Sequence, residues 1–236
     1  MKTLTMMQLT LLALMPGTAV YTFIFGLGVL VNIIGVCAAA IVTEALFLKL
    51  REEPLTHLMD GTSLVAAWLM ALCLPPLLPI WQAATGICLG LIFGKHVYGG
   101  LGRNIFNPAM VGFAILIVSF PLTMSKWPEP RAQQHVSEVL RVKFQVNNSE
   151  EVYDGLTAAT PLDDYKFRSG ITNKEFFSTE AERNWRYWYI INVAFLVGGI
   201  FLIYRGITSW HAPLGFLISL IILAGVFYDS GSSHSL

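Results

Sequence analysis

Few side chains in this sequence have the types and spacing that chemistry needs. The stretch Asp154-Gly155-Leu156-Thr157-Ala158-Ala159-Thr160-Pro161 lies inside the one long polar island, residues 125–186, of an otherwise apolar chain. Asp154-Gly155 is a strong turn signal, and hydroxyls beside such a turn can brace it or, on an exposed loop, offer a point of attachment. Thr160 is the candidate if the chain does chemistry on the water side of a membrane. Asp163-Asp164 reads as a solvated turn rather than an acid–base pair, and no Ser/His/Asp arrangement suggests a catalytic centre built from side chains.

Three other stretches carry polar groups inside or beside apolar runs. Gly94-Lys95-His96-Val97-Tyr98-Gly99-Gly100-Leu101-Gly102 leads to Arg103-Asn104-Ile105-Phe106-Asn107-Pro108. No strand precedes it and it matches neither a Walker nor a dinucleotide fingerprint, so a phosphate cradle is disfavoured. Its glycines allow close backbone approach, Asn104 and Asn107 can satisfy exposed backbone groups, and Pro108 can open a helix. Asp60-Gly61-Thr62-Ser63 reads first as a helix cap and second as an anion-attracting helix start. Glu44 lies within an apolar run, where an ionisable residue is a functional candidate; Lys49 and Arg51 are near enough in sequence to pair with it. His57, His96 and His211 stand apart from other ligand types, so no metal site is expected.

These residues are positioned by membrane-spanning helices. The chain is 55% hydrophobic and only 13% charged, against about a quarter charged in a soluble domain. Spans of about 20 apolar residues cross a bilayer. Seven candidates appear: Met6–Phe25, Leu27–Leu48, Ser63–Leu74, Ile80–Gly94, Ala109–Met124, Tyr187–Tyr204 and Pro213–Tyr228. The third and fourth are short and separated by Pro75-Pro76-Leu77-Leu78-Pro79, as broken or tilted helices would be. The first span is expected to be retained rather than cleaved as a signal peptide. The expected fold is an all-α polytopic membrane protein of about seven transmembrane helices with a small outer cap. It divides into five spans over 1–124, a polar domain over 125–186, and two spans with a tail over 187–236.

Charge gives an orientation. Lys2, Lys49, Arg51, Lys95, Arg103 and Arg205 are the six basic residues outside the island, and all fall on one face if the spans alternate. That face is expected to be cytoplasmic, with the amino terminus, and the island outside. The island holds nine Lys/Arg and ten Asp/Glu, shows apolar alternation around Val136–Val146, and turns frequently from Asn147. Net charge is zero, so no nucleic-acid partner is expected. Cys37, Cys73 and Cys88 sit widely spaced in apolar runs, as core or lipid-facing residues do. Trp127, Trp185, Trp188 and Trp210 fall near span boundaries, as in an aromatic belt.

The stretches Gly94–Gly102, Asn107-Pro108-Ala109-Met110-Val111-Gly112 and Asp154–Asp163, with Ser119-Phe120-Pro121 and Trp210-His211-Ala212-Pro213-Leu214, resemble the D subunit of Rnf-type electron transport complexes. That subunit is related to the B subunit of sodium-pumping NADH:quinone reductase. The resemblance covers nearly the whole chain. It implies a subunit in a bacterial inner membrane that passes electrons between ferredoxin- and NAD-linked partners, coupled to ion movement. It also implies FMN joined to Thr160 by a phosphoester on the periplasmic side. A flavin transferase would read Asp154, Gly155, Thr157, Ala159 and Thr160; the Thr160 hydroxyl attacks the FAD phosphoanhydride and AMP leaves. Gly155, Ala158 and Ala159 keep that turn narrow. A second, non-covalent riboflavin is a further expectation, as are the other complex subunits as partners. Ile105 stands where the family pattern has proline. Family members continue beyond Leu236 into further spans, so the chain is expected to be a truncated form, keeping about seven of ten spans and part of an inverted repeat. Two other functions fit the composition: a channel or transporter, suggested by the broken spans, and a non-redox assembly subunit.

Overall fold

The prolines at 75, 76 and 79 divide what would be one long apolar run. Proline lacks a backbone donor and crowds the preceding turn, so it ends or opens helices. In the computed structural model one helix ends at Cys73 and the next begins at Ile80. The structure describes residues 3–100, 102–131, 135–145, 157–158, 160, 165–166, 170, 172 and 182–227, with Thr157 and residues 182–184 described by backbone alone.

The helices are α1 (Thr3–Phe25), α2 (Leu27–Leu50), α3 (Thr62–Cys73), α4 (Ile80–Leu91), α5 (Pro108–Ser119), α6 (Pro121–Met124), α7 (Val136–Phe144), α8 (Glu182–Tyr204) and α9 (His211–Phe227). A 3-10 segment, Leu55–Asp60, leads into α3, and a π segment, Ile92–His96, extends α4. Two-residue strands β1 (Trp127–Pro128) and β2 (Thr157–Ala158) pair antiparallel, Trp127 opposite Ala158 and Pro128 opposite Thr157.

Within the described residues all seven expected apolar segments are largely helical, the fifth being broken at Phe120 into α5 and α6, and the chain has the all-α polytopic architecture of a membrane protein. α1, α2 and the Trp185–Tyr204 part of α8 are long and apolar enough to cross a bilayer; α3, α5 and α9 are shorter apolar helices. A 12-residue helix such as α3 reaches about 18 Å, short of the roughly 30 Å hydrocarbon layer. The α3–α4 turn therefore has to be shielded from lipid by protein, and Leu74 through Pro79 are all buried.

The core runs through α1–α5, where Val36, Ala40, Ala67, Met70, Ile87 and Leu116 are fully buried. α8 lies along α1. Their backbones approach so closely that a Cβ on Gly198 would sit 2.0 Å from the Ala13 carbonyl oxygen. Small residues permit such contacts between membrane helices. α9 carries no buried residue.

Two ends of the bundle are distinct. At one, Arg51 Nη2 donates to the Gly99 carbonyl at 3.4 Å, and Met7 packs beside Gly61. This joins the start of α1 to the α2–α3 and α4–α5 connections. At the other, Arg131 N donates to Ile24 O at 2.8 Å, and the Phe25 ring meets Trp127 and Trp188. The basic connections thus share one end and the island leaves from the other.

The alternation read around Val136–Val146 gives a helix, α7, rather than a strand. His135 and Glu138 form a capping box at its start, which satisfies backbone donors that the first turn leaves free. Val139, Val142 and Lys143 are its buried residues; the last two lie three and four positions after the first, which puts all three on one helical face. Local capping and that stripe outweigh the alternate apolar positions, and Val146 lies outside the described residues.

Candidate functional site

Polar side chains converge at the end shared by the basic connections. Glu44 faces inward from α2 and is 3% exposed; Lys95, in the π segment after α4, is 5% exposed. Lys95 Nζ donates to Glu44 Oε1 at 2.7 Å, to Thr62 Oγ1 at 2.9 Å and to Ser63 Oγ at 3.1 Å. Ser63 Oγ donates to the other carboxylate oxygen, Glu44 Oε2, at 2.7 Å. All three ammonium protons therefore have acceptors and both carboxylate oxygens have partners, the condition under which a buried ion pair is tolerated.

His96 completes the cluster. Its Nε2 lies 3.1 Å from Glu44 Oε2, and its ring stacks on Phe47 with centroids 4.5 Å apart. The π segment supplies the geometry, since Val97 N bonds to Ile92 O across five residues. The wider turn brings the consecutive residues Lys95 and His96 both to Glu44. Such π segments recur at functional sites.

The Asp60–Ser63 stretch divides its labour. Gly61 is the N-cap residue, in the left-handed region, and Asp60 Oδ1 accepts from Thr62 N and from Thr62 Oγ1, both at 2.7 Å. The aspartate thus caps α3 while the Thr62 and Ser63 hydroxyls turn toward Lys95. In the Gly94–Pro108 loop, Asn104 Oδ1 accepts from Gly102 N at 3.2 Å and Asn107 Oδ1 from Ala109 N at 3.0 Å. Pro108 opens α5 as its sequence position suggests. The approach of α4 to α5 is close: a Cβ on Gly90 would stand 2.5 Å from Pro108 O.

Two expectations are corrected here. Glu44 does not pair with Lys49 or Arg51: Lys49 is exposed and Arg51 bonds Glu53 at 2.8 Å. Five residues on an α-helix turn through about 500°, which carries Lys49 away from the face of Glu44. His96 is not isolated, because the α3–α4 hairpin returns it to Glu44. His57 and His211 remain exposed, and among the described residues no His, Cys, Asp and Glu gather as metal ligands. The three cysteines are free thiols.

Two cavities adjoin the cluster. One of about 270 Å³ is lined by Glu44, Arg51, His57, Asp60, Lys95 and His96. A second, of about 310 Å³, is more apolar and is bordered by Thr62, Lys95, Asn104, Phe106 and Asn107.

The attachment stretch is at the opposite end. Thr157 and Ala158 form β2 against Trp127 and Pro128. Thr160 is half-buried, outside any helix or strand. Two residues of chain reach at most about 7 Å, so Thr160 stays close to the Trp127–Ala158 rung. Asp154, Gly155 and Ala159 lie outside the described residues.

Fold and site together define a polytopic helical membrane protein with a buried charge cluster at one end and the β1–β2 rung at the other. The model of the NQR2, RnfD, RnfE family matches residues 1–235, and the chain belongs to that family. It is 37% identical to the D subunit of the ion-translocating oxidoreductase complex of Cellvibrio japonicus, over 99% of this chain and 68% of that one. The D subunit from Aliivibrio salmonicida is also 37% identical, over 95% of this chain and 69% of the relative. Its counterpart from Aeromonas salmonicida is 38% identical, over 96% of this chain and 70% of the relative.

Proposed function

We propose that this chain is the membrane subunit of an ion-translocating oxidoreductase complex, in a bacterial inner membrane, that carries electrons through FMN attached covalently to Thr160. The observation that supports this most is the β1–β2 rung. It holds the residues just before Thr160 against Trp127, whose ring meets Phe25 and Trp188 at the rim of the bundle.

The residues present fit a phosphoester-linked flavin. Thr160 lies outside regular structure, and the short strand β2 fixes the chain just before it. The half-buried rings of Trp127 and Trp188 are the aromatic groups beside that strand. When bound, FMN supplies one- and two-electron transfer, while the chain supplies position and surroundings. In this reading Asp154, Gly155, Thr157 and Ala159 form the recognition motif of the flavin transferase. The other subunits of the complex are the electron partners.

The Glu44–Lys95–His96 cluster favours a second role for the same chain, a share in the path of the translocated ion. Ionisable residues kept inside a membrane bundle mark such paths, and this cluster opens to a polar cavity. A transporter without flavin is the alternative that the experiment must separate.

The test co-expresses the chain with its flavin transferase and views the denatured protein on a gel under ultraviolet light. A fluorescent band is expected, lost in Thr160→Val and kept in Thr157→Val. No fluorescence with an active transferase refutes attachment at Thr160. Substrate-dependent flux into liposomes by flavin-free protein would favour the transporter.

A further inference from the structure

Lys143 is a second buried lysine, remote in sequence from the Glu44 cluster and at the island end of the bundle. It lies on α7, whose Val139 and Val142 pack with Leu77 in a small apolar cluster. Its side chain is fully buried. Nζ donates to Asn32 Oδ1 on α2 and to Leu78 O at 2.9 Å. Asn32 Nδ2 donates in turn to Pro75 O at 3.0 Å.

These bonds answer a local need. The prolines of the α3–α4 break remove helical partners from nearby carbonyls, and a buried carbonyl without a partner is costly. Lys143 supplies a donor to Leu78 O, and Asn32 adds a second donor to Pro75 O, which already accepts from Leu78 N at 3.0 Å. Trp81 Nε1, on α4, adds a bond to Gln145 Oε1 at 2.9 Å just beyond α7. The helix is therefore fastened across the break by side chains.

Among the described residues, the chemistry around Nζ is neutral. Neither acceptor carries charge. From Leu27 to Thr43 on α2, and from Ser63 to Gly94 across α3, the break and α4, there is no Asp, Glu, Lys, Arg or His. The titratable groups within those stretches are the thiols of Cys37, Cys73 and Cys88. On α7 and its cap, His135 and Arg141 are exposed and Glu138 is half-buried. A neutral amine has two N–H bonds to place and an ammonium three; the two acceptors match the amine. Desolvation by burial also pushes Lys143 well below the ordinary lysine range, since a low-dielectric site disfavours the charged form.

We propose that Lys143 is a proton-released clamp: as a neutral amine it holds α7 over the α3–α4 break, and taking a proton from water frees the helix. The undocked lysine titrates near its ordinary value of about 10.4, and the docked one lower. Docking therefore binds fewer protons. It is strongest in alkali, weakens as pH falls through the interval between the two values, and is flat below the docked value.

Amide exchange over residues 136–144 tests this in the full chain in lipid nanodiscs, corrected for the intrinsic pH dependence of exchange. His135→Asn and Glu138→Gln are present throughout, so that the capping box does not titrate. Protection should fall by up to about tenfold per pH unit within that interval, the slope for one linked proton. With Lys143→Met added, protection should be independent of pH. Constant protection in the Lys143 chain, or an equal slope in Lys143→Met, overturns the clamp. If Lys143→Met does not fold, lysine 13Cε resonances of the Lys143 chain decide it. A Lys143 signal titrating in the ordinary lysine range overturns the clamp, and one titrating below it supports the clamp.

Discussion

Lys95 Nζ and Glu44 Oε1 stand 2.7 Å apart although 51 positions separate them in sequence. Their side chains are 6% and 4% exposed. The pair joins α2 to the end of α4 and, through Thr62 and Ser63, to the start of α3. One ion pair thus ties three helices at the end where the basic connections meet.

Removing one partner should be worse than removing both. Lys95→Met leaves Glu44 buried beside Ser63 and His96 with its main counter-charge gone, a loss of about 3–5 kcal/mol for such sites. The double variant Glu44→Gln/Lys95→Met leaves no orphaned charge and should recover a large part of that. Thermal unfolding in one detergent, compared across the singles and the double, measures the coupling. Additive losses would show that the two residues do not act as a pair.

Much of the helical architecture is legible in the sequence because membrane spans advertise themselves by length and apolarity. Most of the seven segments need only small adjustments at their ends, while Ala109–Met124 is divided at Phe120 because Pro121 opens a new helix. The polar cluster is visible only as pieces: Glu44, the Asp60–Ser63 stretch and the Lys95-His96 dipeptide each stand out locally. Periodicity along a single helix sees neighbours three or four residues away and offers Lys49 for Glu44. The signal that joins the pieces is topological. A hairpin at Pro75–Pro79 must bring the end of α4 back beside the start of α3. Lys143 is hidden for a different reason: alternation suggests a strand over α7, and only the helical face shows that a lysine points inward with two valines.

Asp60→Ala should loosen the start of α3. It removes the acceptor for both Thr62 N and Thr62 Oγ1, and loss of a capping side chain costs about 1 kcal/mol. Asp60→Asn keeps an oxygen in place and should retain most of the stability. A drop in midpoint temperature for alanine with little change for asparagine is the expected pattern. Equal losses would point to charge rather than capping.

Gly198→Val should separate α8 from α1. A Cβ at that position already meets Ala13 O at 2.0 Å, and the obstacle is backbone, which cannot turn aside as a side chain could. Overpacking of this kind costs about 1–3 kcal/mol or more. Gly199→Ala is the control, since nothing stands within 4 Å of its Cβ. Cysteine pairs across α1 and α8 should crosslink in the parent and the control but poorly in Gly198→Val.

The orientation proposed for the chain can be read with an impermeant thiol reagent. Lys and Arg in short connections favour the cytoplasm, and the structure gathers Arg51 and the Gly99–Gly100 turn at one end, opposite the β1–β2 rung. Ile105 is 75% exposed on the basic end, and Gly155 belongs to the attachment motif. With Cys37, Cys73 and Cys88 replaced by alanine, Gly155→Cys should label when only the outer membrane is permeable. Ile105→Cys should label only after the inner membrane is opened. The reverse pattern would put Thr160 in the cytoplasm, where it could not serve as an outward-facing flavin site.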